Sequence, residues 1–221
     1  MKIVCVYKTG GDFDKDYVIA LHNSLKNYGY DFVCLTDAWD VPHYIRQVQL
    51  KYNLPGWWSK LELFDRDNWI IGEEDILYFD LDTVILDDIS DLIHATKNTN
   101  EMIMLKDFYF PKKLASGVMY IPNKVKDIIF NEFINCADQA MIMFKGDQDF
   151  IADTIRINSI LYTTFPDIIP DYIASYKCHI FKTYPKHITP LEVNIKKSKI
   201  ICYHGKPRPK DVFSLLEDIY V

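Results

Sequence analysis

Glycine is scarce in this chain, at 8 of 221 residues, and cysteine is scarcer, at 5. Cys5, Cys34, Cys136, Cys178 and Cys202 are odd in number and include no CxxC pair. That argues against a disulfide framework or a thiolate zinc site and reads as buried thiols in a reducing compartment. No run approaches the ~18 apolar residues of a membrane-spanning helix. Only five apolar residues separate Lys2 from Lys8, fewer than the roughly 7–15 of a secretory leader. A soluble cytoplasmic protein is therefore expected. Positive charge is also short, with 25 Lys and Arg against 31 Asp and Glu. A net charge of -6 provides no general nucleic-acid-binding surface and no broad attraction to anionic lipid, so a phosphate must be met locally. Repeats, low-complexity tracts and linkers are missing too. The length suits one domain whose core needs no staple.

Aromatic residues are plentiful, with 15 Tyr and 13 Phe. Core and strand positions absorb most of such rings, and the remainder are available to line a groove. Residues 2–7 (KIVCVY) form a β-rich run that ends at Lys8-Thr9-Gly10-Gly11. Over 14–28, Tyr17, Leu21, Leu25 and Tyr28 recur at helical spacing, and 32–35 reads as a second strand closing at Thr36-Asp37. This βαβ unit opens a parallel sheet, whose ligands bind beyond the carboxyl ends of the strands. Farther on, the pattern predicts helices over 43–52, 59–64, 126–144 and 149–161, with a break at Pro55-Gly56. Strands are predicted over 76–79, 102–105, 118–121 and 200–203, and a final helix near 212–219 that packs back onto the body.

Three constellations carry candidate chemistry. In Tyr78-Phe79-Asp80-Leu81-Asp82, extended alternation would place both carboxylates on one side and Leu81 on the other. Like charges at a buried strand end are tolerable around a hard divalent cation, and oxygen ligands suit Mg²⁺ or Mn²⁺. A simpler account has one Asp capping the next turn with help from Asp87 and Asp88. His204 follows the apolar run 200–203 and precedes Gly205, Lys206 and Arg208. It reads either as a structural or solvated imidazole or as part of a diphosphate pocket. In Gly146-Asp147-Gln148-Asp149, helix capping accounts for one of the three polar side chains but not for all.

Taken in chain order, separated segments resemble the GT-A glycosyltransferases, in particular the glycogenin-like and bacterial galactosyltransferase group of retaining enzymes. They are ALHNSLKNYGYDFVCLTD, WWSKLELF, LYFDLDTVIL, SGVMYIP, GDQDF and ICYHGKP. The resemblance implies an α/β fold, a single GT-A domain over 1–221 with a Rossmann-like mixed central sheet flanked by helices. A nucleotide-binding half would cover about 1–90 and an acceptor half about 91–221. It further implies Mn²⁺ or Mg²⁺ held by Asp80, Asp82 and His204, with Gln148 and Asp147 at the face of the donor sugar. Tyr7, Lys8, Thr9, Asp37, Lys60, Asp80, Leu81, Gly205 and Lys206 would bind the donor, a UDP-sugar by the preference of that group. Asp149 is the candidate base should the enzyme invert configuration, although the Asp-Gln pair favours retention. Two departures stand out: the family spaces its terminal motif HxxGxxKP, whereas His204, Gly205, Lys206 and Pro207 are contiguous, and the family's Asn before the small-residue-Gly pair is Ala115 here.

The expected activity is thus metal-dependent hexosyl transfer from a nucleotide-sugar to an acceptor that the sequence leaves open. Two rivals come from other classes. A phosphatase of the haloacid-dehalogenase type would use Asp80 of FDLDTV as nucleophile and Asp82 as acid/base, with Lys106 and Asp147 or Asp149 as partners. Against it, about seventy residues and two strands precede the motif. A catalytically silent nucleotide-sugar-binding module would keep the fold without turnover.

Overall fold

The computed structural model describes residues 1–97 and 99–216. In strand β1 (Lys2–Tyr7), alternate side chains leave on opposite faces, so Ile3, Cys5 and Tyr7 join one buried cluster while Val4 and Val6 join another. A strand apolar on both faces demands cover on both. Helix α1 (Lys15–Leu25) supplies part of it, N-capped by the Asp14 carboxylate and burying Tyr17, Val18, Leu21 and Leu25. A short 3₁₀ turn and Gly29, at φ 70°, then send the chain into β2 (Phe32–Thr36), parallel to β1. The predicted βαβ opening is present.

The predicted helix over 43–52 is instead strand β3 (Arg46–Gln49), parallel to β2. It sits at the sheet edge and buries Val48 alone, so its polar neighbours carry no period-2 signature that distinguishes strand from helix. Gly56–Phe64 forms a 3₁₀ helix beginning at the predicted break. Strands β4 (Ile76–Phe79) and β5 (Thr83–Ile85) follow, then α2 (Ser90–Thr96), β6 (Met102–Lys106) and β7 (Leu114–Ile121). The single helix expected over 126–144 is two, α3 (Lys126–Ile134) and α4 (Ala137–Met143), separated by Cys136 in a non-helical conformation. Helix α5 (Asp147–Ile157) starts two residues earlier than predicted. Next come β8 (Tyr162–Thr164), α6 (Phe165–Ile168), β9 (Ile173–Ser175), β10 (Ile200–Cys202) and α7 (Pro209–Leu216). Val212 is buried with Tyr176 and Tyr203, as a helix packed on the body requires; the part of the final helix predicted beyond 216 lies outside the described residues.

The central sheet is mixed, in the order β3-β2-β1-β4-β7-β6-β8, with β7 antiparallel to both neighbours. A second sheet of β5-β10-β9 stands beside it. Because β1 lies between β2 and β4, connections diverge at its carboxyl end, and that divergence opens a crevice where open α/β sheets bind ligands.

Candidate active site

Beyond β4, the Asp80 N–H donates to the Gly117 carbonyl at 2.8 Å, prolonging the pairing with β7. The Thr83 N–H then reaches back to the Asp80 carbonyl at 3.0 Å, so 80–83 is a tight turn and not the extended stretch that simple alternation predicts. Asp80 and Asp82 still line the same cavities. The second sheet brings the far end of the chain to them: β10 pairs with β5, Cys202 opposite Thr83, and the Tyr203 N–H donates to the Asp82 carbonyl at 3.0 Å. There the backbone bends through positive φ at His204 (30°) and Gly205 (97°). A left-handed histidine is strained, and its neighbours must hold it in place.

Two cavities meet at this point. The larger, ≈ 460 Å³, runs from Val6 of β1 and Lys8 just beyond it past Tyr78, Asp80 and Leu81 to Gly205 and Arg208. The smaller, ≈ 270 Å³, lies between Asp107–Tyr109, Ser116 and Gly117 of β7, and Asp147 and Gln148 of α5. Trp57, Lys60, Asp80, Asp82 and His204 border both. Trp57 is 56% exposed at their mouth, whereas its neighbour Trp58 is buried and stacked on Phe133.

Asp80, Asp82 and Asp147 each have a cationic partner. Lys60 Nζ lies 2.8 Å from Asp80 and 3.5 Å from Asp147. Burial works against its charge, but Asp147 and Asp80 outweigh that and hold the ammonium protonated. The Tyr78 hydroxyl also donates to Asp80. Asp147 is pushed up by burial, against the pull of Lys60 and of Ser116, whose hydroxyl donates to it at 2.7 Å. Asp82 is raised by burial and by the charge of Asp80, with Arg208 and the Gly205 N–H (3.3 Å) acting in the opposite sense. Burial, with Lys177 adding repulsion, lowers His204 to about 4, so its imidazole is neutral. That ring stacks on Phe108 and shares a 2.6 Å hydrogen bond between its Nε2 and the Ser175 hydroxyl.

The remaining candidates separate clearly. Lys8 lines the larger cavity and binds Asp37 at 2.6 Å; Thr9 donates to the same carboxylate through its N–H and hydroxyl. Burial of Asp37 is thereby overcome, and its carboxyl is held below the usual range. Tyr7 turns the other way, into the core cluster beside α1, because it alternates with Val6 and Lys8. Gln148 borders the smaller cavity and accepts the Ser116 N–H at 3.3 Å. Asp149 and the exposed Lys206 line neither cavity. Lys106, the phosphatase candidate, is paired with Asp167 at 2.6 Å and also lies outside both.

Arg208, named with Lys206 as part of a possible diphosphate pocket but not among the candidate donor-binding residues, is the one of the two that borders the larger cavity. The signal was available: counted from Gly205, the HxxGxxKP spacing puts the basic residue three positions on, at Arg208 before Pro209, and puts Cys202 at the position of the histidine. Cys202 is buried at the smaller cavity, and burial with the charges of Asp82 and Asp80 pushes its thiol up. Among the described residues, no three His, Cys, Asp or Glu side chains gather closely enough to hold a metal. The aspartate pair nevertheless fits a hard cation, since Mg²⁺ is commonly held by one or two carboxylates plus substrate phosphates.

No protein-family model matches this sequence, and no curated protein does. Solved structures do match. The galactosyltransferase LgtC, crystallised with donor and acceptor sugar analogues, superposes with a TM-score of 0.59 at 13% identity, covering 95% of this chain and 89% of that one. The fold is that of the GT-A glycosyltransferases. Other structures sharing the GT-A fold include GlyE of Streptococcus pneumoniae TIGR4, with a TM-score of 0.62 at 14% identity, covering 96% of this chain and 56% of GlyE. A glycosyltransferase of PBCV-1 major-capsid glycosylation follows, with a TM-score of 0.55 at 12% identity, covering 95% of this chain and 96% of that one. The crevice at β1 and β4 and the mixed central sheet are thus read within the GT-A frame.

Proposed function

We propose that this protein is a metal-dependent hexosyltransferase that moves a sugar from a UDP-sugar to an acceptor hydroxyl with retention of configuration. The observation that carries the reading is the convergence of Asp80, Asp82, Lys60 and Arg208 on one crevice beyond β1 and β4. Departure of a nucleoside diphosphate leaves two or more negative charges on oxygen, so catalysis is mainly electrostatic. Asp80 and Asp82 would hold Mn²⁺ or Mg²⁺ together with the donor's phosphates, and His204, a neutral imidazole bonded through Nε2 to Ser175, would be the candidate nitrogen ligand. A bound divalent cation neutralises the developing diphosphate charge.

The protein's own groups do the rest. Lys60, kept charged between Asp80 and Asp147, would face the leaving group. Lys8 lies at the nucleotide end of the larger cavity, while Gln148 and Asp147 border the smaller one, where sugar and acceptor would meet. Asp149, the candidate inverting base, lies outside both cavities, which favours retention with the departing phosphate taking the acceptor's proton. In this reading the nucleotide-binding half, about 1–90, would draw Gly205 and Arg208 from the far end of the chain, since both border the larger cavity. Incubation with UDP-sugars and Mn²⁺ should release UDP, with turnover in Asp82→Asn lower by about 10²-fold or more, and NMR of the product should show the donor's anomeric configuration. A silent binding module would release no UDP, and full turnover in Asp82→Asn would refute the role given to the pair.

A further inference from the structure

Arg208 engages Asp82 in a way that a static phosphate contact does not require. Its guanidinium is bonded to the buried Asp82 carboxylate, reaches Asp12 at 3.3 Å, and lies over the Phe13 ring at 4.3 Å from the centroid. Its Nε–H is buried and has no acceptor. The fork is therefore incompletely satisfied where it stands, although it borders the larger cavity. Asp12 is 63% exposed, so that contact is a solvent-screened hold, whereas the Asp82 contact occupies a carboxylate assigned to the cation. Lys60 cannot exchange as Arg208 can. It is buried between Asp80 and Asp147, and leaving would strand the Asp147 carboxylate, only 6% exposed, which no entering cation would take up.

We propose that Arg208 is a displaceable counter-cation, bonded to Asp82 and passing to the donor's diphosphate when a divalent cation takes Asp82. This rests on the reading of Asp80 and Asp82 as the cation's seat. Cation entry frees a planar fork whose geometry suits phosphate oxygens. Diphosphate, by drawing Arg208 away, uncovers Asp82. Each therefore strengthens the other's binding by the same factor, as linkage requires. Phe13, which also borders the larger cavity, lies beneath the guanidinium at the cavity wall.

The test measures Mn²⁺ binding by electron paramagnetic resonance, with and without UDP, in wild type, Arg208→Gln and Lys177→Gln. Lys177 serves as the control because it carries the same charge nearby, donating to the His204 carbonyl at 2.9 Å without touching Asp82. Thermal melts verify that the variants are folded. Without nucleotide, Arg208→Gln should bind Mn²⁺ about five- to tenfold more tightly than wild type, with Lys177→Gln within about twofold, on the scale of one partly buried charge contact. UDP should tighten Mn²⁺ binding in wild type and do so several-fold less in Arg208→Gln. Equal Mn²⁺ affinity in wild type and Arg208→Gln, or equal gains in both charge variants, would overturn the exchange while leaving the cation seat intact. No Mn²⁺ binding by wild type, with or without UDP, would overturn the seat itself and the exchange with it.

Discussion

The two walls of the crevice are built by different means. On the sheet wall, Lys60, Tyr78, Asp80 and Asp147 form a buried network on short, regular elements, each charge met at close range. On the opposite wall, His204 and Gly205 form a strained bend held by Ser175 of β9 and followed by Arg208, whose contact with Asp12 faces solvent. Asp80 and Asp82 are two residues apart, yet one answers to each wall. The first wall is preorganised and costly to disturb, while the second is less tightly held, which would suit the exchange and the charged donor proposed above.

Breaking the sheet wall should cost most. Lys60→Met leaves Asp80 and Asp147 without their shared cation in a desolvated setting and should destabilise the fold by about 3–5 kcal/mol, read from denaturant midpoints. The adjacent tryptophans sharpen the contrast between structural and functional parts. Trp58→Ala empties a stacked core position and should cost about 3 kcal/mol or more. Trp57→Ala, at the mouth of both cavities, should stay within about 0.5 kcal/mol while raising the KM for donor or acceptor. Equal stability losses in the two variants would contradict the separation.

The smaller effect concerns the second wall and pH. Burial pushes the His204 pKa down to about 4, from an ordinary value near 6.5, and lowers His179 as well. The unfolded chain therefore binds protons that the folded one refuses. Stability is complete above about pH 6.5 and is lost as pH falls toward about 4, with His204 contributing about 2 kcal/mol of loss between pH 7 and pH 5. Denaturation midpoints at those two pH values measure it, and His204→Asn should flatten the difference. A difference that persists unchanged would place the sensitivity elsewhere.

The sheet wall was also the legible one. Strands β1, β2 and β4 are apolar runs buried on both faces, with α1 between the first two showing clean helical spacing, and Asp80 and Asp82 close the last of them. The edge strand β3 escaped because only Val48 is buried within it, and the three-residue strands β5, β8 and β9 are too short for a period to register. No glycine or proline marks the break at Cys136. On the second wall, β10 was visible as an apolar run, but nothing local announces that it pairs with β5 and returns Arg208 to Asp82 across more than a hundred residues. Of the two cations that the sequence sets after His204, Lys206 faces solvent and Arg208 borders the larger cavity, a difference that their contiguity does not reveal.

UDP titrated calorimetrically into wild type and Asp82→Asn, with and without Mn²⁺, tests the shared seat of cation and diphosphate most directly. Mn²⁺ should tighten UDP binding at least tenfold in wild type and little in Asp82→Asn. UDP binding that ignores Mn²⁺ in both proteins would contradict it.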